Sequence, residues 1–127
     1  LPDLGRVVML SPPNGGSEMA DLLGRIPLAR KTGGPNRRRL GTGPAGLPAL
    51  LGPVDFDLGV ITGDRSFNPL FSSLIPGPDD GKVSVERTKV AGMKAHRVLH
   101  VSHPFLMKNA RAIRETIHFL RRGQSTP

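Results

Sequence analysis

Three short apolar runs constrain this chain more than any other feature. They are Arg6-Val7-Val8-Met9-Leu10, Phe56-Asp57-Leu58-Gly59-Val60-Ile61-Thr62-Gly63 and His96-Arg97-Val98-Leu99-His100-Val101-Ser102. Their length, β-branched content and abrupt ends, such as Ser11-Pro12-Pro13, predict strands buried on both faces. Between the first two, Ser17 is placed to cap a helix with apolar positions Met19, Ala20, Leu22 and Leu23, closed by Gly24. After the third, Ala110, Ile113, Ile117 and Leu120 are spaced by 3, 4 and 3, an apolar helical stripe. Arg121-Arg122-Gly123 then puts cations and a stop at the helix C-terminus. Wholly apolar strands alternating with helices predict an α/β fold, a parallel sheet of about three strands flanked by helices.

The 127 residues suit one domain, 1–127. Gly 16 and Pro 13 demand long loops. The longest is Gly24–Pro53, which holds Arg25, Arg30, Lys31, Arg37, Arg38 and Arg39 and no acid. A loop of that length inside a compact domain is usually functional or disordered. Short helices fit around Leu47–Leu51 and Asn68–Leu74, while periodicity leaves Val83–Val90 open between strand and helix. No apolar run approaches a membrane span, and no signal peptide is expected at Leu1-Pro2-Asp3. Zero Cys excludes disulfides, thiolate zinc sites and Cys nucleophiles.

Ligands of open parallel sheets bind beyond the carboxyl ends of the strands. After the first run comes Ser11-Pro12-Pro13-Asn14-Gly15-Gly16-Ser17, after the second Asp64 and then Asp79-Asp80-Gly81, and after the third Ser102-His103-Pro104. A hydroxyl, a carboxylate and an imidazole at one sheet edge are what a serine hydrolase needs.

Asp80-Gly81-Lys82-Val83, then Val98-Leu99-His100-Val101-Ser102-His103, then an amphipathic helix resemble the closing half of an α/β-hydrolase of the bacterial lipase and esterase type. In such lipases the acid often opens an Asp-Gly-x-Val pattern, and the histidine follows the last strand. The resemblance therefore implies Asp80 as the acid and His103 as the base, in the family's chain order. Val7 to Ser17 resembles the strand and loop that follow the family's nucleophile helix. The implied activity is carboxylic ester hydrolysis without metal or cofactor. The implied partner is an ester or lipid substrate, with Gly24–Pro53 as a basic lid-like loop whose Leu47, Leu50 and Leu51 form an apolar face.

The chain departs from the family at the nucleophile. No Gly-x-Ser-x-Gly pentapeptide occurs. Ser17 and Ser11 are the candidate hydroxyls. Ser17 stands seven residues past Leu10, too far for a nucleophile elbow, and Pro12 blocks the usual helix geometry after Ser11. Asp64, directly after the second run, is the alternative acid. His96 and His100 read as strand residues, and His118 as a helix-surface residue. His100 and His103, three apart on a strand, would point to opposite faces, so no metal site is expected. The chain is expected to represent the C-terminal half of such a fold. Residues 6–10 would then pair with a missing N-terminal half or with a second copy. The formal charge of +8 supports an alternative, a non-catalytic basic binding module. None of the five Phe lies in the basic loop, so stacking platforms for nucleic acid are absent there.

Overall fold

A computed structural model of the protein describes residues 4–17, 25, 39, 42–43, 51–66 and 77–127. The helix expected after Ser17, most of the segment Gly24–Pro53 with Leu47 and Leu50, and the helix expected at 68–74 lie outside the described residues.

Three strands form one parallel sheet in the order β1-β2-β3, with β1 at Val7–Leu10, β2 at Leu58–Gly63 and β3 at Ala95–Leu99. The register pairs Val7 with Leu58 and Leu10 with Ile61, then Gly59 with Ala95 and Gly63 with Leu99. Central β2 is buried along its whole length, which is why its sequence is apolar throughout rather than alternating. The third apolar run is longer than its strand. Val101 N–H donates to the Leu99 carbonyl at 2.8 Å, so the chain turns at His100 and leaves the sheet.

The strand period of two sorts the core into two layers. On one face Ile61 and Leu99 pack with Leu106, Ala112 and the half-buried Val8. On the other, Leu58 and Val60 pack with Val90, Met9, Val54 and Phe56. Helices α1, His103–Leu106, and α2, Ala110–Arg122, supply the first cover. Val83–Val90 is neither strand nor α-helix. Asp79 and Ser84 form an isolated antiparallel bridge, and Glu86–Thr88 is one 3-10 turn.

Helix α2 begins at Asn109, whose side-chain oxygen accepts from Arg111 N–H and Ala112 N–H, and ends at Gly123 with φ 74°. Its buried residues are Ala112, Glu115 and Phe119. This corrects the expected face: Ile113, Ile117 and Leu120 are 46, 44 and 44 % exposed. The stripe has moved to the flank. Ile113 and Ile117 line a groove of about 210 Å³ with Leu10, Leu106 and Met107. At the other end Arg6, just before β1, donates to the carbonyls of Leu120 and Arg121. The helix thus runs antiparallel to β1, and its stripe lies alongside that strand instead of over the sheet.

Candidate active site

Every sequence candidate that the structure describes follows a strand, or a loop beyond one. The segment 77–85 folds into a tight turn. Val85 N–H donates to Pro78 O at 2.8 Å and Asp80 N–H to Val83 O at 3.2 Å. Asp79 Oδ1 accepts from Gly81 N–H at 2.8 Å, an Asx turn. Gly81 sits at φ 97°, where a side chain would be strained. The turn leaves Asp80 pointing inward and 1 % exposed. Its Oδ1 accepts from the backbone N–H groups of Lys82 and Val83, both at 3.0 Å.

The second carboxylate oxygen of Asp80 meets His103 Nδ1 at 2.7 Å. A second tie holds the same pair: His103 N–H donates to the Asp80 carbonyl at 2.9 Å. His103 opens α1, and its side chain is 29 % exposed against 0 % for Asp80. One partner is therefore wholly internal and the other reaches solvent. Burial pushes the Asp80 carboxyl up, but His103, the Ser11 hydroxyl and the Val83 N–H outweigh it and hold the group below the ordinary carboxylate range. An ionised carboxylate only accepts, so the neutral imidazole carries its proton on Nδ1 and leaves Nε2 as a proton acceptor.

Asp64, the alternative acid, is not beside His103. It pairs with His100, Oδ1 to Nδ1, at 2.9 Å. The sheet edge thus carries two Asp–His pairs, a buried one at 80 and 103 and an exposed one at 64 and 100. His100, expected within a strand, lies just past β3 and forms this second pair, which was not expected. The signal available was Asp64 directly after β2 and His100 directly after β3, on strands that register adjacently. Each imidazole has its own carboxylate, and no group of three His, Asp or Glu side chains among the described residues is arranged to hold a metal ion.

The candidate hydroxyls are both engaged. Ser17 Oγ donates to the Lys82 carbonyl at 3.0 Å and ties the loop after β1 to the Asp80 turn. Gly15 N–H to Arg87 O at 2.7 Å and Asn14 Nδ2 to Lys89 O at 3.1 Å fasten the same two loops. Ser11 is 2 % exposed and lies at φ 42°. Its Oγ is 3.1 Å from Thr62 Oγ1. Thr62 was not among the expected site residues; the parallel register sets it against Ser11.

A cavity of about 740 Å³ opens at the opposite end of the sheet between Leu4, Arg6, Phe56 and Leu120. It lies before the strands begin, away from the Asp80–His103 pair. Among the described residues no helix is long and apolar enough to cross a membrane. No family model, curated protein or solved structure matches the chain.

Proposed function

We propose that the protein is a carboxylic ester hydrolase of the serine type, in which His103 moves the proton and Asp80 fixes the imidazole. The observation that carries this reading is the 2.7 Å bond between a buried, ionised Asp80 and a partly exposed His103. That arrangement sets the tautomer, holds the ring and stabilises the imidazolium formed when Nε2 takes a proton. The same proton then returns to the alkoxide leaving group as the acyl intermediate forms. Water attacks in the second half of the cycle, again with His103 as base. The basic pair Asp80–His103 fits this work better than Asp64–His100, whose members both face solvent and are screened by it. Ser11 is buried with its hydroxyl 3.1 Å from Thr62 Oγ1, so it is not taken as the attacking hydroxyl.

The test is turnover of a short-chain p-nitrophenyl ester by the full chain. His103→Ala is expected to lower kcat by several orders of magnitude, because the members of such a triad act as a unit. His100→Ala should change it by less than about tenfold. Equal losses for the two variants would overturn the assignment. Absence of turnover in the parent would favour the non-catalytic basic module.

A further inference from the structure

Gly63, the last residue of β2, lies where the two segments that carry Asp80 and His103 converge. Its backbone is outside the left-handed region, so conformation does not call for glycine there. Space does. A Cβ at Gly63 would collide with the Val101 carbonyl oxygen and stand 3.1 Å from the Val101 carbonyl carbon and 3.2 Å from Asp80 Cβ. Glycine within a strand often marks such a close backbone approach. Ser102 alone separates Val101 from His103, so one missing side chain borders both arms of the pair.

Both arms are tied down around this point. Beyond the strands, Asp64 N–H donates to Leu99 O at 3.1 Å and Arg65 N–H to Val101 O at 3.4 Å, skipping His100. Val101 N–H turns back to Leu99 O at 2.8 Å, and this turn lays the Val101 carbonyl over Gly63. On the other arm, Asp80 Oδ1 is held by the N–H groups of Lys82 and Val83, and the Asp80 carbonyl accepts from His103 N–H at 2.9 Å. A methyl group at Gly63 would have to push one arm away by on the order of 1 Å to reach van der Waals contact. Either displacement changes the 2.7 Å bond between Asp80 Oδ2 and His103 Nδ1.

We propose that Gly63 is a positioning residue for the Asp80–His103 pair: the bare backbone at the end of β2 sets how closely the His103 arm approaches the Asp80 turn. This rests on the reading of Asp80 and His103 as an acid–base pair and adds the element that fixes their separation.

The test compares Gly63→Ala with Gly59→Ala in the full chain. The second variant adds the same methyl to the same strand, where it meets the Phe119 ring at 2.9 Å, away from the pair. Nitrogen NMR of the His103 ring reads its tautomer, denaturant unfolding reads stability, and hydrolysis of a short-chain p-nitrophenyl ester reads kcat. Both variants are expected to lose stability. Only Gly63→Ala should turn the fixed Nδ1–H tautomer of His103 into the mixture of a free imidazole, and it should lower kcat by about 10²-fold, the effect of a misplacement near 1 Å. A folded Gly63→Ala chain that keeps the Nδ1–H tautomer overturns the proposal. An equal loss of the tautomer in Gly59→Ala does the same, since it would mark a general loosening of the sheet. If Gly63→Ala folds only with an osmolyte, the ring is read in trimethylamine oxide. A chain unfolded even there also overturns the proposal, because Gly63 would then serve the fold and not the pair. A tautomer lost in Gly63→Ala, with no esterase activity in the parent, keeps the role of Gly63 and sinks the hydrolase reading instead.

Discussion

Asp80 is the residue on which charge, burial and proposed chemistry converge, and its substitution separates them. Asp80→Asn keeps the shape but can hold the imidazole in the wrong tautomer, with a loss of about 10⁴ in kcat. Asp64→Asn and Asp79→Asn should cost far less, since Asp64 serves His100 and Asp79 closes its own turn on Gly81. The same variant has a signature in stability. The folded-state carboxyl ionises below its unfolded value of about 3.9. Its contribution is therefore complete above that value and is lost as pH falls through the lower folded value. Denaturant unfolding of parent and Asp80→Asn between pH 6 and about pH 2 should show the gap between them closing toward acid. A gap that widens would mean that Asp80 is held above its ordinary range. The Asp80 and His103 pairing was open to the sequence only through the resemblance, which links an Asp-Gly-x-Val turn to a histidine after the last strand. The place of Ser11 against Thr62 was not, because it depends on the parallel register between β1 and β2 and on one left-handed backbone angle.

At the scale of elements, local pattern identified what would form better than which way it would face. β1 and β2 lie within their apolar runs, β3 starts one residue before the third run and stops three short of its end, and α2 ends where Arg121-Arg122-Gly123 predicts. Its apolar stripe was visible in the spacing, yet the sheet takes Ala112 and Phe119 instead. The reason is Gly59: its missing side chain leaves room for the Phe119 ring, where a Cβ would stand 2.9 Å from the ring. A tolerance for close approach is a two-residue property that periodicity in one helix cannot carry. The difference is measurable. Phe119→Ala empties a buried site and should cost about 3–5 kcal/mol in denaturant unfolding. Ile117→Ala removes a half-exposed side chain and should cost under about 1 kcal/mol. Reversed magnitudes would put the stripe back against the sheet.

Among the described residues β1 and β3 each pair only with β2, and the β1 edge is the one that lies beside the exposed flank of α2. Val7 N–H donates to Asp57 O and Ser11 N–H to Ile61 O, so alternation turns the amides of Val8 and Leu10 outward. Beside that open row run Ile113, Ile117 and Leu120 of α2, with Leu10 and Met107 at its end, each between 39 and 64 % exposed. An apolar flank next to an unpaired strand is a pairing surface. A second copy is the partner always present, and two β1 strands meeting edge to edge would bring their α2 flanks together. The formal charge of +8 opposes this, and salt screens that repulsion. Sedimentation at low micromolar protein should therefore show species heavier than 13.6 kDa whose fraction grows with ionic strength. Ile117→Lys, a charge placed on the flank and not in the core, should return the chain to the monomer without lowering its melting temperature. The amides of Val8 and Leu10 should exchange slowly in the associated form and quickly in that variant. A 13.6 kDa species at every salt concentration, with those two amides exchanging freely, would show that the edge needs no cover.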